Sequence, residues 1–328
     1  MDKGMDTAMH KSRELLIGVD LGTSGMKGVL LSAEGDVLAE AKGVPAMDCP
    51  RPGYAEFCAD TFFDTVCAVL AELKKQAPPS SEIAAPAFAA ASGNTLLADE
   101  NLRPLTGVIN WTDTRVKDSG DDVLPGLEKA GVHNIVGWPW NGMFPLALLG
   151  WMKKHLPDTY AAARYYLLNT AYTLYRLTGQ LGLDHSTATP FYLQNQVQGR
   201  WHRPYLDLLQ ISENELPVLS PPGTVLGRMT EEAAAATGLS ERPRVVLGSF
   251  DHPCAARGTG TLDAGDLMLS CGTSWVGFYP VNDRELALSQ SMIVDPFLRP
   301  DGPWAALFSL PCIGMTIDAL VQKAVGGD

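Results

Sequence analysis

Apolar positions change their spacing along the chain, and each change marks an element. Residues 15–22, LLIGVDLG, form a short apolar run that predicts a strand with Asp20 near its end. Residues 27–44, KGVLLSAEGDVLAEAKGV, predict a β-hairpin turning at Glu34-Gly35-Asp36. Three strands in succession predict an antiparallel meander that opens a sheet. Residues 49–57 read as a loop. Over residues 60–76, Phe63, Val66, Val69, Leu70 and Leu73 recur at three- and four-residue spacing, which predicts a helix whose last turn carries Lys74 and Lys75.

After the PPSSE break, residues 83–94 predict a buried strand of small residues ending in Ser92-Gly93-Asn94, and TLLADENLRPL a second hairpin-like unit. Residues 107–115, GVINWTDTR, predict a strand end carrying Trp111, Asp113 and Arg115. From 116 to 180 the pattern is helical, clearest in ALLGWMKKHL and YYLLNTAYTLYRLTG, with Gly179 as the C-terminal cap. LDHSTATP, residues 183–190, reads as a polar loop, and GTVLGRMTEEAAAATGL, from residue 223, as a turn followed by a helix at 230–237.

The opening pattern then returns. RVVLGSFDHPCAARGTG (244–260) is an apolar run, then Asp251, then a small-residue segment. GDLMLSCGTSWVGFY (265–279) is strand, Gly-Thr-Ser, strand. The triplet GTS therefore stands twice, at 22–24 and 272–274, between apolar runs. Two domains built on this hairpin would face each other across a cleft.

Composition narrows the partners. The 328 residues are 46% hydrophobic and 19% charged, as in a protein with a real core, and the length predicts two domains. The net charge of −12 argues against nucleic acid or an anionic membrane, which need a basic face. Residues 1–14 read as a disordered leader without an apolar signal, and no run reaches a membrane span. Cysteines 49, 58, 67, 254, 271 and 312 form no CxxC pair and read as reduced, mostly buried thiols of a cytoplasmic protein.

Glycine turns expose backbone N–H groups, which make an anion-binding nest. Thr23 and Ser24 add hydroxyl donors, and Lys27 a point charge. A carboxylate such as Asp20 repels phosphate directly but holds Mg²⁺, which bridges to phosphate oxygens. A plain β-turn is the better account of one such loop taken alone; its recurrence, with a second strand-end aspartate at Asp251, favours phosphate. Asp251 fits a base that takes the proton of an attacking hydroxyl, and it also fits a helix cap ahead of Pro253.

These segments resemble the FGGY carbohydrate kinase family. IGVDLGTSGMKGVLL is similar to its first phosphate motif, GSFDHPCAARGTG to the segment carrying the catalytic base, LMLSCGTSWVGF to the second phosphate motif, and NWTDTR to a W-x-D-x-R segment on the sugar side. The motifs stand in family order over residues 15–328. The resemblance implies an α/β actin-like, ribonuclease H-like ATPase fold of two related domains with a cleft between them. It implies ATP-dependent phosphorylation of a sugar or polyol. Asp251 is then the base, Asp20 a magnesium or phosphate-side carboxylate, and Gly22, Thr23, Ser24, Lys27, Gly272, Thr273 and Ser274 the contacts to ATP phosphates. Trp111, Asp113 and Asp184 fall on or near the sugar side, with Asn94 and His252 as further substrate contacts. The partner is a small molecule, with a homodimer the assembly to test.

Two departures qualify it. AASGN (90–94) replaces the Gln-Met-His-Gly stretch of xylulokinase-like members and the Arg-Glu pair of glycerol-kinase-like ones, so neither substrate follows. Members also continue well past this point. The first domain is expected to be complete over 15–243 and the second only begun over 244–328, as in a fragment of a longer kinase. The competing readings are a catalytically inactive sugar-binding fragment without an adenosine site, and an actin- or chaperone-like ATPase.

Overall fold

The structure is a computed structural model. It describes residues 14–325, apart from 92, 272–274, 297, 300, 311 and 312. The elements that build the site are, in chain order, β1 (Glu14–Leu21), β2 (Met26–Ser32), β3 (Val37–Gly43), α1 (Ala59–Gln76), β4 (Glu82–Ala90), β5 (Thr95–Ala98), β6 (Tyr165–Leu168), α2 (Asn169–Thr178), β7 (Gly182–Asp184), β8 (Val225–Arg228), α3 (Glu231–Thr237), β9 (Arg244–Phe250) and α4 (Asp251–Thr259). A further group follows: β10 (Met268–Cys271), β11 (Trp275–Val281), β12 (Ile293–Asp295), β13 (Trp304–Leu310) and α5 (Ile313–Val325).

The first sheet has the order β8-β9-β4-β1-β2-β3. The expected meander is its edge: β1 pairs antiparallel with β2, and β2 with β3. The chain then crosses over through α1 and returns as β4, parallel to β1. A parallel return needs such a crossover, because a two-residue turn can only reverse direction. Strand β9 joins β4, again parallel, and β8 closes the other edge antiparallel.

Helix α1 covers one face. Its apolar stripe, Phe62, Phe63, Val66, Val69, Leu70 and Leu73, is buried against the meander. Gly28 lets it lie close, since a Cβ there would meet Val69 Cγ1 at 2.7 Å and Leu73 Cδ1 at 2.8 Å. A second core, around Trp138, Leu148, Phe191 and Tyr205, fills the helical stretch. The later strands form their own antiparallel sheet, β10-β11-β13-β12, with a small core at Phe278, Ala305 and Leu307. Leu267, Leu269 and Leu310 near its strands are exposed, as are Met315, Leu320 and Val321 of α5.

Several expectations are corrected. The first residues of YYLLNTAYTLYRLTG are strand β6, paired with β5, and the helix starts only at Asn169. Residues 225–228, expected as part of a turn, are strand β8. The polar 183–190 stretch is buried, with Asp184, Ser186, Thr187 and Thr189 each almost inaccessible. Strands β8 and β9, on either side of residue 243, are hydrogen-bonded neighbours in the first sheet. Of the five described cysteines, all unpaired, Cys49, Cys58 and Cys271 are exposed and only Cys67 is buried. Cys312 and residues 1–13 lie outside the described residues. No helix among the described residues is long and apolar enough to cross a membrane.

Candidate active site

Strands β1 and β9 run parallel to the same neighbour, β4, one on each side. Register fixes what they deliver. Asp20 and Ser249 both stand opposite Ala89, and Leu21 and Phe250 both stand opposite Ala90. Asp20 and Asp251 therefore emerge at the same end of the sheet, with one strand of small residues between them. Two strand spacings are about 10 Å, close enough for two carboxylates to sense each other.

Asp251 is the first residue of α4. Phe250, with extended backbone, holds the cap position, so Asp251 is not the cap. Its Oδ1 accepts from His252 N at 2.7 Å, and the His252 ring stands 3.9 Å from the same oxygen. Burial, foremost, raises the Asp251 pKa; His252 opposes this and the Asp20 charge adds to it. Burial likewise raises Asp20, and Lys27 opposes it.

Between the strand ends and the second sheet lies a cavity of about 440 Å³. Its polar side is Asp20, Gly22, Thr23, Ser24, Asp251 and His252. The glycine is required: a Cβ on Gly22 would collide with the Gly25 carbonyl that closes the turn. Its apolar side is aromatic, from Trp111, Trp138, Phe144 and Phe250, and Ser309 and Leu307 of β13 complete the far wall. Trp138 is the hub, meeting Phe250 at 5.5 Å and Phe144 at 5.6 Å, both edge to face. Apolar C–H faces and a rim of carboxylates and hydroxyls suit a polyhydroxylated ligand.

The remaining sequence candidates stand behind this wall. Asn94 is buried, and its Oδ1 accepts from Trp111 N at 3.1 Å, so it sets the backbone of a lining residue. Asp113 does not line the cavity. It accepts from Ala55 N at 2.7 Å and from Arg115 Nε and Nη2 at 2.8 and 2.7 Å, and Arg115 also reaches Glu56. Asp184 is fully buried, accepts from Thr187 N at 2.8 Å, and is pushed up to about 6 by burial, with the Thr187 hydrogen bonds opposing. Its neighbour Ser186 accepts from Phe250 N at 3.2 Å, which ties this stretch to the root of the base. Lys27 is exposed and stands opposite Asp20 in the β1–β2 ladder, outside the lining. Gly272, Thr273 and Ser274 lie outside the described residues. Trp138 and Phe144 are not singled out by the sequence; the clustering of aromatics in GWPWNGMF is the one signal that points to them.

No group of three His, Cys, Asp or Glu able to hold a metal stands among the described residues. The donors at the loop are one carboxylate and two hydroxyls. They fit a hydrated Mg²⁺ that completes its shell with water and phosphate oxygens, and not a cation caged by protein ligands.

Residues 15–258 match the FGGY family of carbohydrate kinases, N-terminal domain. A gluconokinase of Bacillus licheniformis is 26% identical over 259 residues, covering 79% of this chain and 50% of its own length. A xylulose kinase of Bacillus subtilis is 28% identical over 265 residues, covering 80% and 52%. The crystal structure of xylulose kinase from Rhodospirillum rubrum superposes with a TM-score of 0.87 at 25% identity, covering 94% of this chain and 64% of that one. The fold is the actin-like, ribonuclease H-like one that the motifs imply. The chain spans about half the length of the curated relatives it matches.

Proposed function

This chain belongs to the FGGY family of carbohydrate kinases, and on that premise we propose that it carries the sugar site and first phosphate loop of an ATP-dependent kinase acting on a sugar, sugar acid or polyol hydroxyl. What carries the reading is the convergence of Asp20 and Asp251, from parallel strands, on one aromatic-walled cavity.

The sugar stacks its C–H face on Trp111 and Trp138 and turns its hydroxyls to Asp251 and His252. Asp251 accepts the proton of the attacking hydroxyl as its oxygen bonds to the γ-phosphorus; the bond to the β,γ-bridging oxygen breaks and ADP leaves. Thr23, Ser24 and the Gly22–Gly25 backbone hold the phosphates, with 272–274 as the second loop. Mg²⁺ held through Asp20 supplies charge neutralisation on the phosphate oxygens. Most of the rate then comes from positioning and from exclusion of water by Trp138 and Phe250. The first domain extends through α4, with the second beginning at β10.

A second reading keeps the sugar site without turnover, since the aromatic wall of Trp111, Trp138 and Phe144 can take a sugar without a nucleotide. A coupled ADP-release screen over pentuloses, hexuloses, aldonates and polyols tests the first. Calorimetry with each sugar and with MgATP separately divides the two: sugar heat with no nucleotide heat selects the second. ATP hydrolysis independent of any sugar contradicts both.

A further inference from the structure

The second sheet is tied to the rest of the protein through β12. Val294 N donates to Gly137 O, and Val294 O accepts from Gln196 Nε2, each at 2.7 Å. Arg284, buried, holds Gln196 in place through Nε and donates Nη2 to Asn134 O, both at 2.8 Å. His133 Nε2 stands 2.7 Å from Met292 O. These contacts fix where the next residue goes. Asp295 is 0% exposed, and among the described residues neither of its carboxylate oxygens has a hydrogen bond of good geometry, although the Ser186 hydroxyl acts on it as a donor.

The groups that bear on Asp295 come from two elements across the junction. From the β7 end come the Ser186 hydroxyl and the Asp184 carboxyl; from α4 come Arg257 and Asp251. Cys254 feels the charges of the same Asp184 and Arg257. Arg257 does not settle the balance: its Nη1 donates to Ser249 Oγ, and the Asp184 and Asp251 charges act on Asp295 in the opposite direction. An ionised carboxylate that is buried without a well-formed hydrogen bond is strongly disfavoured, whereas a neutral acid there is tolerated.

We propose that Asp295 is a proton-bearing strut between the two lobes: neutral, it seats β12 behind Asp251, and ionised, it repels Asp184 and Asp251 and loosens β12 from the first lobe. It is a positioning residue and touches no substrate. Burial, foremost, holds its pKa well above the carboxylate range; Ser186 and Arg257 oppose this, and Asp184 and Asp251 add to it. The sign follows. A carboxyl with its folded pKa above its unfolded value gives stability that is full at acid pH and is lost as pH rises through the folded value.

Two measurements on the intact chain test this, and neither needs substrate or turnover, so failure here is separate from failure of the kinase reading. The first is the melting temperature of the unsubstituted chain and of Asp295→Asn between pH 5 and pH 8.5. Asparagine mimics the neutral acid without titrating, so the variant should gain on the parent by about 2–4 °C as pH rises. Parallel curves overturn the proposal. The second is amide exchange of residues 292–295 in the unsubstituted chain, corrected for the intrinsic rate. Protection there should fall with rising pH while β4 holds; protection that does not change overturns the proposal, and this measurement decides alone where the variant fails to fold.

Discussion

Asp20 and Lys27 are register partners across the β1–β2 ladder, so the lysine charge opposes the burial that raises the Asp20 carboxyl. The pair spans the Gly-Thr-Ser turn and closes it from behind.

Lys27→Met removes that opposition, and the Asp20 pKa moves further up. More Asp20 is then protonated at acid pH, and the metal loses its carboxylate. The half-saturating Mg²⁺ concentration for nucleotide binding should rise, by about 10-fold, and more at pH 5.5 than at pH 8. A Mg²⁺ titration at both pH values reads this; an equal effect at both would mean that Lys27 acts on phosphate alone.

His252→Gln removes the imidazole whose influence opposes the burial that raises the Asp251 pKa. The base must be ionised to act, and burial already places its titration above the ordinary aspartate value of about 3.9. The acid limb of kcat/KM should move to higher pH in the variant. A pH–rate profile checks the direction.

Trp111 is 44% exposed and lines the cavity. Trp111→Ala should weaken sugar binding about 2- to 12-fold, the worth of one stacking contact, and leave the melting temperature nearly unchanged. Calorimetry and a thermal scan on the same samples separate the two effects.

Arg115→Met should do the reverse. It strands Asp113, which is 4% exposed, beside Glu56 without a countercharge. The expected loss is about 3–5 kcal/mol in urea unfolding, with sugar affinity per folded molecule unchanged. Loss of affinity alone would return Asp113 to the sugar side.

What could be read from sequence follows the range of the interactions. The meander and α1 were legible because alternation and three-four spacing are local. Strand β6 was not, because Tyr-Tyr-Leu-Leu suits a helix or a strand, and its partner β5 lies far away in the chain. Residues 183–190 look soluble and are buried because their polar groups bond within the fold, as Asp184 does to Thr187 and Ser186 to Phe250. Asp20 and Asp251 were visible as aspartates at strand ends. That Asp113 belongs to Arg115 and Ala55, and that Trp138 meets Phe250, are products of tertiary packing which no spacing encodes.

The account turns on Asp251 as the base of a sugar kinase. The most direct test is turnover and sugar affinity of Asp251→Asn beside the unsubstituted chain, by ADP release and by calorimetry. The account predicts a kcat at least 100-fold lower, with sugar binding retained. A kcat comparable to that of the unsubstituted chain would contradict it.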